Sequence, residues 1–544
     1  MSVILDNHGA VANSAVTGNS RMENYCYMFH QLAEAESQRD ESSGRHFEAL
    51  QNLSAEMDGL IGETSVQSDI PAIYTYFGQF MNHDMSAPVG TPAFSRTALR
   101  QKDSHLFSQS VILNNPDLVS LVSSQRPPNV SWIIDNIKNQ HLMPLTLDSL
   151  YGDGPADASE DIRLLFQADG ALFKIGQTVT QSDLSDITKS PAFVFHHPDR
   201  NRDIPRGENQ AKIADQRNDG NLILSQLHLA LMLFHNNTAE VLRPHTAKAQ
   251  LFTATRRVVT LHYQYCIVND FLNRLAPGVK EKIKNPILNQ KGQVPFEFTT
   301  SAFRFGHSMI SSSYDFNSNF GKENKIKNEA KLFELFKFTS SANMNSVAEL
   351  KGQLPDHWVI DWNRFLDSQR PPTNTADRID TRVAAGMELL PGPSLPEIKI
   401  VGRLSSICAR NLKRGYHRFI ASGQKIGKAL ALEGMPILSN EDVCSAFESS
   451  SASVILRQNG LDGDTPAWAY FLCEAKLLGK GNKLGPVCAM IVANTIIGLL
   501  QLDDNSVLRV NGGTWTPKDS PLFKIGHTEI SDISGLLQFA GVLN

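Results

Sequence analysis

A mainly α-helical body is what this sequence predicts, and three observations carry that prediction. Between Asn221 and Leu242 the residues Leu222, Leu224, Leu227, Leu229, Leu231, Leu233 and Phe234 make a helix apolar nearly all round, suited to the centre of a large helical body. Period-two alternation is confined to short pieces such as Ala171 to Thr178, so strands should be few and short. No internal repeat or low-complexity linker divides the chain, so residues 1–65 read as an arm and 66–544 as one large domain.

In chain order, the first 65 residues mix Asn, Ser, Gly and Glu with few aliphatic clusters, and are expected on the surface with one helical piece near Tyr25 to Ala35. An apolar, aromatic run free of proline starts near Ile73 and predicts a helix through Asp84. The central helix at 221–242 follows, then Arg256 to Leu275 and Glu329 to Phe338. Asp356 to Pro372 has the aromatic-plus-proline look of an ordered connecting loop. Ile398 to Leu432 is helical in period but broken by Gly415 and Gly423, and Ala467 to Leu478 and Gly485 to Leu500 complete the set.

Composition narrows the function. Basic residues number 51 and acidic ones 56, a net charge of -5 with no basic block, which argues against a nucleic-acid partner. The six cysteines form no C-x-x-C pair, which argues against a zinc site built on them and against a dense disulfide framework, and fits a reduced compartment. Met1 to Ser20 has neither a basic region nor an apolar stretch of the secretory kind, so the expectation is cytoplasm, or secretion without an N-terminal signal. Val487 to Leu500 contains Asn494 and Thr495 and falls short of the roughly 20 apolar residues of a membrane span.

Four polar islands stand in this apolar chain. In Gly78-Gln79-Phe80-Met81-Asn82-His83-Asp84, Gln79 and His83 lie at i and i+4 on one helical face, with Asp84 rotated off it. In Asp215-Gln216-Arg217-Asn218-Asp219-Gly220-Asn221, one reading is a helix cap by Asn218 or Asp219; the alternative is that Arg217 points into the site that holds His83 and keeps its imidazole neutral. In Ala302-Phe303-Arg304-Phe305-Gly306-His307, the glycine would let a flat ligand approach the backbone, and His307 suits a single axial position on a haem iron. In Ala409-Arg410-Asn411-Leu412-Lys413-Arg414, Asn411 and Arg414 share a face; the amide suits the Nδ1–H of a liganding histidine and the guanidinium a propionate.

Taken together with Leu147-Asp148-Ser149-Leu150-Tyr151-Gly152, Ile379-Asp380-Thr381-Arg382 and Leu484-Gly485-Pro486, the four islands resemble the animal-type haem peroxidase superfamily, the peroxidase-cyclooxygenase group, and its bacterial branch in particular. The resemblance runs from about Ile70 to Val542 and implies a large single-domain helical haem peroxidase fold over 66–544. It implies His83 as the distal acid/base, Gln79 as its partner, Arg217 as the distal arginine and His307 as the proximal iron ligand. Asn411 becomes the partner of that ligand, and Arg304 and Arg414 become haem-contacting arginines. The implied reaction reduces hydrogen peroxide while an organic or small inorganic donor is oxidised. His83 moves the proton between the peroxide oxygens, and Arg217 meets the charge that develops.

Departures from the family pattern shape the rest. Mammalian members bind haem through an Asp and a Glu ester, and one adds a Met link; the matching positions here are Asn82, Gly220 and Asn221, so haem b without covalent links is expected and halide oxidation is put in doubt. The family's calcium site would draw on Asp84, Thr146 and Asp148, with Thr146 standing where an aspartate is usual. Fatty-acid dioxygenase relatives carry a radical-forming tyrosine three residues before the proximal histidine, where this chain has Arg304, so lipid oxygenation is the second reading. A haem-binding scaffold with weak turnover is the third.

Overall fold

The computed structural model of the protein describes residues 25–40, 44–59, 66–87, 125–155, 163–180, 196–287, 292–321, 328–339, 353–367, 373–387, 406–430 and 436–543, less 140, 142, 143, 208, 209 and 386. The helix Leu222–Leu242 lies at the centre, within one residue of its predicted start, because Asn221 is extended and its side chain accepts from the Leu224 N–H. Around it pack the helices Ile73–Met85, Leu251–Cys266 and, from the C-terminus, Ile533–Phe539. The predicted helix Arg256 to Leu275 thus begins earlier, and it passes through a π-helical turn at Ile267–Phe271 before ending at Leu275. Strands are short, as expected: Gln67–Pro71 pairs with Thr375–Asp377, Arg206–Gly207 with Gln210–Ala211, and Ser313–Tyr314 with Ala330–Lys331, all antiparallel.

A second group of helices holds the His307 turn. Ala467–Gly479 and Pro486–Leu502 both pack on the tight 3₁₀ turn Ala302–His307. Trp468 Nε1 donates to the Arg304 carbonyl at 3.1 Å. The Leu484-Gly485-Pro486 motif has a steric reason here: the buried Glu474 carboxylate accepts from Val487 N–H at 3.0 Å, and a Cβ on Gly485 would lie 2.3 Å from Glu474 Cγ.

Several expectations are corrected. The arm is not all surface: the helix Arg45–Met57 buries Leu50, Leu53 and Met57 against the helix Ile407–His417. Its i, i+3, i+7 stripe was present in the sequence but diluted by polar neighbours. Glu329 to Phe338 is not a regular helix, since Ala330–Lys331 pairs as a strand before a 3₁₀ turn at Leu332–Phe336. Ala171 to Thr178 forms only isolated bridges, Phe166 to Phe173 and Gly176 to Asp203. Gly415 sits inside the helix Ile407–His417 without breaking it, whereas Gly423 opens the next helix where a Cβ would lie 2.1 Å from the Tyr470 ring.

The stretches 1–24, 368–372, 388–405 and 431–432, on which parts of the arm, loop and helix expectations fall, lie outside the described residues. All six cysteines are buried and unpaired. Among the described residues no helix is long and apolar enough to cross a membrane.

Candidate active site

The helix Ile73–Met85, the Gly220–Asn221 step, the turn Ala302–His307 and Arg410 enclose a cavity of about 300 Å³. That volume is at the lower bound of small-ligand sites. Gln79, Asn82 and His83 reach it from the first helix, and His307 with Gly306 from the turn, so the cavity brings together residues more than two hundred positions apart.

His83 is fixed by a residue that the sequence offered only as a cap. Its Nδ1 lies 2.8 Å from Asn218 Oδ1, and the same amide reaches His228 Nδ1 at 3.1 Å through its nitrogen. The two partners set the amide: its carbonyl accepts from His83 Nδ1–H, and its N–H donates to His228. His83 Nε2 therefore keeps its lone pair on the cavity side. Burial, and after it the Arg217 charge, pushes the His83 pKa down to about 4, so the ring is neutral near pH 7. Gln79 Oε1 accepts from Asn221 at 3.1 Å, which leaves the Gln79 amide N–H groups as donors for the cavity.

Arg217 lies beside His83 and its charge helps to keep that ring neutral, as the sequence suggested, but its guanidinium turns to other partners than the cavity. Its guanidinium pairs with Asp215 at 2.6 Å and donates to the carbonyls of His83 and Ser86, each at 2.8 Å. It is absent from the cavity wall. The carbonyls at the C-terminal end of the Ile73–Met85 helix lack intrahelical partners, and Arg217 satisfies them. It holds His83 from behind and lowers its pKa without lining the cavity. Asp219 is also no cap: it joins a buried network with Arg206 and Asp203, Arg206 Nη1 lying 2.7 Å from Asp219 and Nε 3.0 Å from Asp203. That network pins the turn that carries Asn218.

On the other wall, His307 Nδ1 lies 2.8 Å from the Asn411 side-chain amide. As placed, the nitrogen end faces the ring and Asn411 Oδ1 is buried without a hydrogen-bond partner. A half-turn of the amide exchanges its two ends at the same distance; Nδ1–H then donates to the carbonyl and Nε2 is left to bind a metal. Burial and the charges of Arg304, Arg414 and Arg410 hold the His307 pKa well below the ordinary histidine value, so it is neutral and available as a ligand. A Cβ built on Gly306 meets nothing within 4 Å, so the turn presents open space beside the histidine. Arg304 lines the cavity, with its Nε on the Thr299 carbonyl at 2.8 Å. Arg414 does not line the cavity, although its charge bears on His307; Arg410, one turn earlier on the same helix, does line it.

These observations fit a haem. His307 would be its axial ligand, Asn411 would orient that ligand, the small Gly306 would admit the ring, and Arg304 and Arg410 would face its carboxylates. Asn82, Gly220 and Asn221 all line the cavity, and none carries a carboxylate or thioether.

The calcium expectation fits less well. Asp84 accepts from Leu147 N–H at 3.0 Å and from Ser149 N–H and Oγ at 3.1 Å, and burial with the Asp148 charge raises its pKa to about 7. Asp148 is taken by Thr146 Oγ1 and by Arg256, each at 3.1 Å, and the Arg256 guanidinium lies 4.9 Å above the Tyr151 ring. The loop turns donors and a cation toward the two acids where calcium needs a shell of oxygens. The residue set does not fit calcium.

A helical architecture with a cavity lined by His83 and His307 is what a haem protein would need, and the comparisons with known proteins name the family. The family model described as animal haem peroxidase matches residues 38–355, more than half of the chain, and the chain belongs to that family. Over 98 residues it is 33% identical to peroxidase mlt-7 of Caenorhabditis elegans, a match covering 17% of this chain and 14% of that one. The chain thus spans about a seventh of the length of the curated relative it matches. Among solved structures, peroxidase A of Dictyostelium discoideum superposes with a TM-score of 0.55 at 14% identity, over 91% of this chain and 89% of that one. The fatty acid alpha-dioxygenase of Oryza sativa gives 0.51 at 12%, over 92% and 77%. At these identities the two structures speak for the fold alone. Placement in the bacterial branch rests on the sequence resemblance.

Proposed function

We propose that the protein is a haem peroxidase that reduces hydrogen peroxide and oxidises an organic or small inorganic donor, with haem b held without covalent links. The observation that carries this reading is that two neutral imidazoles share one cavity, each with Nδ1 2.8 Å from an asparagine amide. That arrangement leaves each Nε2 for chemistry.

When bound, haem supplies the redox chemistry, passing the two oxidising equivalents of peroxide to a donor. The chain supplies the rest. His83 Nε2 accepts a proton from one oxygen of hydrogen peroxide and returns it to the other, which makes that second oxygen the better leaving group. Asn218 keeps the His83 ring in the tautomer that can do this. Gln79 offers amide N–H groups to the oxygen that gains charge. Arg304 and Arg410, not Arg217, provide the positive field on the wall.

Rapid mixing of the haem-loaded protein with hydrogen peroxide tests the reading. His83→Ala should slow the peroxide-dependent change in the Soret band by about 10²–10⁴-fold while leaving haem affinity intact. An unchanged rate would remove His83 from the reaction, and a wild type that binds haem yet ignores peroxide would favour a scaffold.

A further inference from the structure

We propose that His196, Asp356 and His357 form a site for one divalent first-row transition-metal ion, separate from the cavity. A ring nitrogen of each histidine and a carboxylate oxygen all lie within 4.8 Å of one another. His196 Nδ1 is 2.8 Å from Asp356 Oδ1, and His357 Nδ1 is 3.7 Å from the same oxygen. Ligand atoms about 2.0–2.1 Å from a tetrahedral ion stand about 3.4 Å apart. The first pair would open by about 0.6 Å and the second close by about 0.3 Å, while the two ring nitrogens, within 4.8 Å of each other, would draw together by side-chain rotation. The rings meet at 74° with centroids 6.0 Å apart, so they approach from different directions and do not stack.

Chemistry selects the kind of ion. Two imidazoles and one carboxylate suit zinc, iron, cobalt, nickel or copper, whereas calcium and magnesium ask for oxygen shells. Three protein ligands leave a position for water.

The backbone is already built to hold the set. Asp356 N–H donates to the Val179 carbonyl at 2.9 Å, and Val179 N–H to the Leu354 carbonyl at 3.0 Å. The His357 carbonyl accepts from the side-chain amides of Asn317 and Asn319. His196 belongs to a segment stitched to the same spine, with Thr178 N–H on Arg200 O at 2.8 Å and Gly176 N–H on Asp203 O at 2.9 Å. Residues 176–179 thus anchor both halves of the set. Exposure grades outward, from 4% at Asp356 and 10% at His357 to 32% at His196, which gives two sheltered ligands and one at the mouth where an ion enters. None of the three lines the cavity, so the site stands or falls independently of the peroxidase reading. An ion there would clip the segment at 196 to the turn Asp356–Trp358 and stabilise the fold by linkage.

The test uses the full chain as purified, stripped of metal by a chelator and desalted, then dialysed to equilibrium against zinc. Wild type, His196→Ala, His357→Gln and His197→Ala are compared. His197 is the control, because it is next in sequence to His196 but its Nδ1 is taken by the Asp199 backbone and it is not among the three grouped ligands. One zinc equivalent should bind to wild type and to His197→Ala, at least about tenfold more weakly to the other two, and zinc should raise Tm only where it binds. Should His357→Gln fail to fold, the half-exposed His196→Ala still decides. No zinc equivalent in wild type, or equal binding by all four proteins, would overturn the site.

Discussion

His83 and His307 each have an Nδ1 2.8 Å from an asparagine amide, yet what stands behind the two amides differs. Asn218 is held at both ends, by His83 and by His228, and the turn that carries it is pinned by the buried Arg206 network. Asn411 has His307 as its one side-chain partner among the described residues, with arginines close enough to bear on that ring. The His83 ring is thus held in one orientation by the fold itself, which the proposed proton transfer would require. The Asn411 amide, by contrast, takes its orientation from His307 alone.

Breaking each brace should separate the two roles. Asn411→Ala is expected to weaken haem binding by about 10–100-fold, the usual cost of losing a group that orients a metal ligand, measured by haem titration. Asn218→Ala should leave haem affinity unchanged and slow the peroxide reaction by up to about 100-fold, because the His83 ring is then free to turn. The opposite pattern, with Asn218→Ala losing haem, would merge two roles held apart here.

A smaller effect probes what lies behind His83. With its pKa near 4 against an ordinary 6.5, His83 is neutral through pH 5 and is protonated as pH falls through about 4, so the peroxide rate should show an acid limb there. The same depression costs stability as pH falls from 6.5 toward 4, since the unfolded chain takes up that proton first. Arg217→Gln removes the second cause of the depression and should move the limb upward, still below 6.5, because burial is the first cause. A limb that does not move would leave Arg217 with only its grip on the carbonyls of His83 and Ser86. Smallest of all, millimolar calcium should leave Tm unchanged, since Arg256 already neutralises Asp148; a clear rise in Tm would restore the calcium site.

Local patterns were legible in the sequence, and long-range ones were not. The i, i+4 pairing of Gln79 and His83, the apolar helix Leu222–Leu242 and the Asn411 partner of His307 all follow from spacing or family resemblance, and the structure places them as expected. Arg217 could not be aimed from sequence, because its acceptors are carbonyls 131 and 134 residues away. Asn218 was one of several capping candidates beside it, and nothing local marks the one that reaches a histidine 135 residues back. The exchange of Arg410 for Arg414 turns on which of two residues one turn apart faces the cavity, a matter of helix rotation that packing alone decides.

The most direct test of the account is haem titration of the wild type and His307→Ala, followed at the Soret band. The account predicts one haem per chain in the wild type, with a spectrum altered or lost in the variant. Haem bound with the same affinity and spectrum by both proteins would contradict it.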